Sequence, residues 1–278
     1  MKRSILSIAA CVTFALVFTA CNDEEKKTEP GTEPVAFQLK GESSDYSADG
    51  NPMRGYVAFN EKDSSKRPIV LVVPEWWGVT DYTRSRAKQL AELGYLAFVV
   101  DMYGDGKVAD NPDSAGKYAT PFYSDISLAK SRFDAALAKA KSYPNADTSK
   151  VAAIGYCFGG SMVLNMAKIG ENLDAVVSFH GNLAGVPPSK ETLKAKILVL
   201  HGEADGFIKP EELANFRKEL DSVKADYIFK SYPNAMHAFT NPDATATGEK
   251  FKIPIKYDAA ADTASWKEMK TFLADVLK

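Results

Sequence analysis

The fold is decided by the stretch Val151-Ala152-Ala153-Ile154-Gly155-Tyr156-Cys157-Phe158-Gly159-Gly160, in which an apolar strand pattern runs into a glycine-rich turn. The helical pattern of Ser161–Lys168 follows directly, so a strand, a turn and a helix meet at Cys157. Glycines two residues before and two residues after the cysteine leave room for the strand and the helix to approach each other. The spacing therefore predicts a strand-turn-helix unit that displays the Cys157 thiol on a sharp turn.

Strand and helix patterns alternate on both sides of this unit. The other predicted strands are Val35–Leu39, Gly55–Phe59, Ile69–Val73, Tyr95–Val100, Ala175–Phe179, Ile197–Leu200 and Tyr227–Ser231, and the other predicted helices are 81–93, 125–141, 210–222 and 263–277. This alternation predicts one α/β domain over residues 35–278, with a mostly parallel central sheet flanked by helices on both faces. The long polar segments 104–124 and 241–262 are expected to be lid or rim loops over the strand ends.

Composition excludes several classes of protein. The chain has 278 residues, of which 45% are apolar and 25% are charged, so it is neither a disordered chain nor a collagen-like repeat. Its net charge of −2 gives no sign of nucleic-acid binding. Only three cysteines and three histidines are present, so any site chemistry must use a small set of side chains. We expect a monomer without a cofactor.

The N-terminal residues have the layout of an export signal. Two basic residues precede the apolar run Ile5–Ala20, which predicts a signal peptide over residues 1–20. The small residues before Cys21 resemble the lipobox of bacterial lipoproteins, which implies lipid attachment at Cys21, a membrane anchor and an exported protein. Residues 21–34 are predicted to be a flexible tether. An ordinary secretory signal or an uncleaved anchor are the alternatives.

Candidate catalytic residues follow the predicted strands, where ligands bind in parallel sheets. They are Glu75, Asp101, Cys157, His180, His201, Asp205 and His237. The order Cys157, Asp205, His237 is that of a nucleophile, an acid and a base on this type of fold, with Asp205 orienting His237. His201 is a competing base, although its position at a strand end favours a hydrogen-bonded structural histidine. No metal site is predicted, because no H-x-x-x-H or C-x-x-C spacing occurs.

The chain resembles the dienelactone hydrolase family of α/β-hydrolases from about Tyr46 to its C-terminus. The motifs that carry the resemblance are Gly155-Tyr156-Cys157-Phe158-Gly159-Gly160, His201-Gly202-Glu203-Ala204-Asp205, Ala235-Met236-His237-Ala238-Phe239, Pro74-Glu75-Trp76-Trp77-Gly78 and Asp101-Met102-Tyr103-Gly104. The resemblance implies cofactor-free hydrolysis of small esters or lactones through a covalent acyl-enzyme on Cys157. It also implies that Glu75 contacts the resting cysteine and that the backbone N–H groups of Trp76 and Phe158 form an oxyanion hole.

Substrate recognition departs from the family pattern. Two arginines that grip the carboxylate of dienelactone are replaced here by Asp105 and Asn241, and neither side chain can form a bidentate guanidinium clamp. The side chains expected to line the substrate pocket are Trp77, Tyr103, His180 and Phe239. Two other functions remain open at this point: an acyl-thioesterase or acyltransferase, and a lipid-anchored binding module without catalytic activity.

Overall fold

An eight-stranded sheet forms the centre of the computed structural model, which describes residues 36–278. The strands are β1 (Leu39–Ala48), β2 (Asn51–Asn60), β3 (Arg67–Val73), β4 (Leu96–Val99), β5 (Ala146–Tyr156), β6 (Ala175–Phe179), β7 (Lys196–Gly202) and β8 (Tyr227–Tyr232). They lie in the order β1-β2-β4-β3-β5-β6-β7-β8. All strands from β3 to β8 pair in parallel, while β2 is antiparallel to both β1 and β4.

Helices cover both faces of this sheet. They are α1 (Asp81–Glu92), α2 (Pro112–Ser124), α3 (Ile126–Lys141), α4 (Phe158–Ile169), α5 (Pro210–Val223), α6 (Ala244–Phe251) and α7 (Ala259–Val276). Apolar side chains of α2, α3, α4 and α5 pack on one face, and those of α1 and α7 pack on the other. Strands buried on both faces read as continuous apolar runs, and this explains why the sequence revealed them. The predicted α/β architecture is confirmed.

The first strand does not lie where its sequence pattern predicted. It was predicted at Val35–Leu39, but β1 covers Leu39–Ala48 and is a polar edge strand with few buried side chains. Its pairing with β2 is set by the two-residue turn Asp49-Gly50, in which both residues have positive φ, at 51° and 74°. Such turns match the twist of an antiparallel hairpin, so the turn rather than an apolar pattern specifies this strand.

The two segments predicted to be lid or rim loops contain helices. Segment 104–124 includes α2, and segment 241–262 includes α6 and the first turn of α7. Asn111 caps α2 by accepting a hydrogen bond from the Ser114 N–H at 2.9 Å, and Pro112 occupies the first helical position. The sequence contains these helix-start signals, but the polar and proline-containing composition of the segment favoured the prediction of a loop.

The predicted signal peptide, the tether and the lipid site at Cys21 lie outside the described residues and stay predictions. Within residues 36–278, no helix has the length and apolar character needed to span a membrane.

Candidate active site

Cys157 lies between β5 and α4 on a strained turn, with φ 52° and ψ −115°. A Cβ atom on Gly155 would lie 2.1 Å from the Gly159 carbonyl oxygen, and one on Gly159 would lie 2.1 Å from the Val73 carbonyl oxygen. Both glycines are therefore required for the close approach of β5, α4 and β3. This packing holds the cysteine at the carboxyl end of the sheet, where the N-terminus of α4 favours negative charge.

His237 and Asp205 meet beside this turn. Asp205 follows β7 and His237 follows β8, and the Asp205 Oδ2 lies 2.8 Å from the His237 Nδ1. Burial alone would lower the pKa of His237, but the Cys157 side chain and the Asp205 carboxylate outweigh it and raise that pKa to about 10. The imidazole is thus held in one orientation and is protonated at neutral pH. His237 and Cys157 line the same cavity.

Two backbone N–H groups near Cys157 are available to a ligand. Phe158 is the first residue of α4, so its N–H has no partner within the helix. The Trp76 N–H lies in the turn after β3, and neither of these two groups donates to another residue of the described chain. Gly159 packs closely against Val73, so the turn after β3 and the turn at Cys157 lie next to each other.

Glu75 is buried in the wall of the same cavity. Its Oε2 accepts a hydrogen bond of 2.7 Å from the Asn241 Nδ2. Burial raises the pKa of Glu75 to about 7, although the Asn241 bond and the charges of His237 and Arg86 oppose the increase. Asn241 thus supplies a neutral donor to a carboxyl group whose pKa is raised by burial.

Replacing Glu75 with glutamine is expected to make stability less dependent on pH. Because the folded-state pKa is raised from 4.5 to about 7, the native state holds this proton more tightly, and the free energy of unfolding falls as pH rises through that window. The loss amounts to at most about 3 kcal/mol. Chemical denaturation at pH 5 and pH 8 measures this difference. The free energy of unfolding of Glu75→Gln, relative to that of the parent, should be higher at pH 8 than at pH 5. The exposed Glu249→Gln is the control, and an equal pH dependence of Glu75→Gln and parent would contradict the assignment.

His180 lies beside the backbone of Cys157 and is not among the residues that line the cavity. It is fully buried, and burial together with the charge of His237 lowers its pKa well below the usual range. Its Nδ1 accepts a hydrogen bond from the Cys157 N–H at 3.1 Å, and its Nε2 lies 2.7 Å from the Thr240 Oγ1. The Thr240 hydroxyl also bonds the Tyr82 hydroxyl at 2.6 Å. The turn at Cys157 is thereby tied to the loop that carries His237.

Replacing Thr240 with valine should loosen this connection. The change keeps the shape of the side chain but leaves the Tyr82 hydroxyl and the His180 Nε2 buried without their shared partner, at a cost of about 2 kcal/mol. We expect a lower free energy of unfolding in urea and a lower rate of Cys157 alkylation by iodoacetamide. Thr263→Val, at an exposed position of α7, is the control. Equal alkylation rates in parent and Thr240→Val would contradict a positioning role.

The cavity beside Cys157 has a volume of about 160 Å³. Trp77 lines it as predicted, but Tyr103 and Phe239 do not. The Tyr103 hydroxyl instead donates to the Trp76 carbonyl oxygen at 3.0 Å, and Phe239 packs beneath His180 with a ring separation of 5.1 Å. The residues that line the cavity are Glu75, Trp76, Trp77, Tyr123, Cys157, Asn182, Phe207, Ile208, His237, Ala238 and Ile255.

Four apolar lining residues escaped the sequence analysis because they lie outside the motifs: Tyr123, Phe207, Ile208 and Ile255. Tyr123 belongs to α2, and Ile255 forms a bridge with His237 after α6. Only the tertiary structure brings these segments to the cysteine. Phe207, two residues after Asp205, was the one that strand-end reasoning could have found.

His201 does not act as a second base in this arrangement. It is buried at the end of β7, lies outside the cavity of Cys157, and packs against Phe229 with a ring separation of 5.7 Å. The expectation that it is hydrogen bonded is wrong for its Nδ1, which has no partner among the described residues.

The carboxylate of Asp101, another candidate residue, stabilises the turn after β4. It accepts hydrogen bonds from the backbone N–H groups of Arg54, Tyr103, Gly104 and Gly106. In residues 36–278, no cluster of three metal-ligating side chains occurs.

The sheet order, the cysteine on its strained turn and the Asp-His pair at the strand ends define an α/β-hydrolase. Residues 53–277 match the profile of the dienelactone hydrolase family. The chain belongs to this family and is a hydrolase, which confirms the resemblance drawn from its motifs.

Individual relatives agree with this assignment. The curated Protein usf of Aquifex pyrophilus is 30% identical over 72% of this chain and 87% of its own length. A crystal structure described as a dienelactone hydrolase-like promiscuous phosphotriesterase from metagenomic libraries is 32% identical, with a TM-score of 0.80 over 86% of this chain and 99% of its own. The dienelactone hydrolase of Anabaena variabilis, at 20% identity and a TM-score of 0.60 over 87% of this chain and all of its own, shares the fold.

Proposed function

We propose that this protein hydrolyses small carboxylic esters or lactones through a covalent acyl-enzyme on Cys157. One observation carries the proposal: the imidazole of His237, held by Asp205 at 2.8 Å, lines the same cavity as a cysteine on a nucleophile elbow. A thiol, an oriented imidazole and a buried carboxylate are the parts needed for nucleophilic acyl transfer.

The first half of the reaction transfers the acyl group to sulfur. The Cys157 thiolate attacks the carbonyl carbon, a C–S bond forms, and the negative charge moves to the carbonyl oxygen. The backbone N–H groups of Trp76 and Phe158 stabilise this oxyanion, an interaction that typically contributes about 3 kcal/mol per donor. The C–O bond to the alcohol then breaks, and protonated His237 gives its proton to the departing alkoxide.

The second half of the reaction restores the enzyme. Neutral His237 accepts a proton from a water molecule, whose oxygen attacks the thioester carbonyl carbon. The C–S bond breaks, the carboxylic acid leaves, and the thiolate again faces a protonated imidazole. Asp205 keeps the Nδ1 proton in place throughout, so that the Nε2 exchanges the transferred proton.

The direct test is to detect the acyl-enzyme. Residues 22–278 are mixed with p-nitrophenyl butyrate, quenched in acid within milliseconds and measured by intact mass spectrometry. We expect an added butyryl group that maps to the Cys157 peptide and that is absent from Cys157→Ala. Added methanol distinguishes an acyltransferase, because methyl butyrate would then form in preference to butyrate. Turnover by Cys157→Ala at the parent rate would refute the proposal.

A phosphotriester is a second candidate substrate class. The 32% identical metagenomic relative is described as a promiscuous phosphotriesterase, and the cavity here is similarly suited to an uncharged ester, since the described residues place no lysine or arginine in its lining. Release of p-nitrophenol from diethyl p-nitrophenyl phosphate should then depend on Cys157. Stoichiometric release without turnover would mean that the phosphoryl-enzyme forms but is not hydrolysed.

A further inference from the structure

The cavity beside Cys157 has a size that limits the acyl group. At about 160 Å³, it is close to the roughly 150 Å³ of an engineered protein cavity that holds one benzene molecule. The acyl group stays bonded to Cys157 while the alcohol departs, so the cavity beside Cys157 is the space available to the acyl group. Under the proposed function, this favours acyl groups no larger than a phenyl ring.

The lining of the cavity is mostly apolar and, among residues 36–278, contains no lysine or arginine. Its apolar lining residues include Trp76, Trp77, Tyr123, Ile208 and Ile255. Among the described lining residues, the ionisable side chains besides Cys157 are Glu75, Tyr123 and His237. Burial raises the pKa of Tyr123, which therefore stays neutral, and His237 already interacts with Asp205 and Cys157. An apolar acyl group would gain about 25 cal/mol for each Å² that it buries here.

Glu75 makes the cavity unfavourable for a second negative charge. The carboxylate receives a hydrogen bond from the neutral amide of Asn241, where a cation would compensate the charge. The neighbouring Asp243 adds further negative potential at Glu75. Arg86 is the buried cation of this region, but its guanidinium pairs with Asp262, donates to the Thr240 carbonyl oxygen at 2.7 Å and packs on the Tyr82 ring. A carboxylate on the substrate would enter this environment without a partner.

We infer that this hydrolase selects uncharged, apolar acyl groups of at most phenyl size and rejects acyl groups that carry a carboxylate. This inference rests on the proposed function, because it concerns the acyl group that Cys157 would bind. Selection arises from two features together: an apolar wall without lysine or arginine, and a buried carboxyl group whose hydrogen-bond donor is an amide.

Two esters of equal shape test the charge selection. Mono-p-nitrophenyl fumarate carries a carboxylate. In p-nitrophenyl trans-4-methylpent-2-enoate, an isopropyl group takes its place. The trans double bond keeps the carboxylate of the fumarate away from the ester carbonyl, so it cannot assist hydrolysis within the same molecule. After correction for hydroxide-catalysed rates, we expect kcat/KM to favour the neutral ester by about 100-fold, the size of penalty typical for burying an unpaired charge. Equal values, or a preference for fumarate, would overturn the inference.

A matched pair of variants tests the electrostatic cause. Phe207 lines the cavity and is 47% exposed, so its replacement introduces a group at the rim without a buried void. Phe207→Lys should raise the fumarate-to-pentenoate ratio of kcat/KM by about tenfold over Phe207→Gln, which has similar polarity and no charge. An unchanged ratio would mean that charge does not set the selection.

The size limit has its own measurement. The p-nitrophenyl ester of benzoic acid should have a higher kcat/KM than that of 2-naphthoic acid, and equal values would overturn the size limit. Failure of the inference is distinct from failure of the proposed function. In the first case, all esters are cleaved in a Cys157-dependent way without discrimination, and in the second, none depends on Cys157.

Discussion

Replacement of Cys157 by alanine is expected to lower kcat/KM for p-nitrophenyl butyrate by about 10⁴-fold or more, the scale seen when a catalytic nucleophile is removed from a comparable triad. In the proposed mechanism the Cys157 sulfur forms the covalent bond, and the described lining residues include no serine, threonine or second cysteine that could replace it. His237→Ala should lose a similar factor, since the imidazole both protonates the alkoxide and activates water.

The double variant gives the sharper test. Residues that act as a unit are strongly non-additive, so Cys157→Ala combined with His237→Ala should be no slower than the slower single variant. Circular dichroism and urea denaturation must show that each variant is folded. Ser222→Ala, a helix-surface change in α5, is the control that should keep full activity. Multiplicative losses, or single variants that remain active, would contradict a catalytic pair.

Replacement of Gly159 by alanine is expected to prevent stable folding. The added Cβ would lie 2.1 Å from the Val73 carbonyl oxygen and 2.6 Å from the Pro74 carbonyl oxygen, so backbone atoms of β3 and α4 would have to separate. These atoms lie in the centre of the sheet, and the displacement would break buried packing. We expect a loss of more than about 4 kcal/mol in the free energy of unfolding, or an insoluble product.

The same substitution elsewhere gives a matched control. Gly116 lies within α2, and a Cβ there would contact nothing within 4 Å. Gly116→Ala should therefore increase the free energy of unfolding by about 0.5–1 kcal/mol, because alanine has the higher helix propensity. Urea denaturation of both variants measures the contrast. If Gly159→Ala were as stable as the parent, the close approach of β3 and α4 could not be correct.

Agreement between sequence and structure was best where a local pattern has one physical solution. The apolar runs of β3 to β7 could only be strands buried on two faces, and the glycines around Cys157 could only serve a tight turn. The edge strand β1 failed this test because its polar residues face solvent, and its position depends on pairing with β2. Local patterns do not contain that information.

The residues of the candidate site show the same difference between what local patterns predict and what packing decides. Cys157, Asp205 and His237 were found because each follows a strand in the order that the fold requires, and the structure brings Asp205 and His237 within 2.8 Å. Tyr103, His180 and Phe239 were assigned to the pocket from their positions in sequence, but none of them is among the residues that line the cavity beside Cys157, and His180 and Phe239 are fully buried. A side chain two positions along a loop can point either way, and only packing decides which.

Residue types and spacing were enough to predict the α/β class, the sharp turn at Cys157 and the three candidate catalytic side chains. These follow from residue type and short-range spacing, because glycine, apolar runs and strand ends constrain the chain locally. Only the folded domain shows that Asn241 contacts Glu75, that Thr240 links His180 to Tyr82, and that Tyr123 of α2 and Ile255 after α6 line the cavity. Those contacts join residues up to 166 positions apart, and such distances are set by the packing of the whole domain.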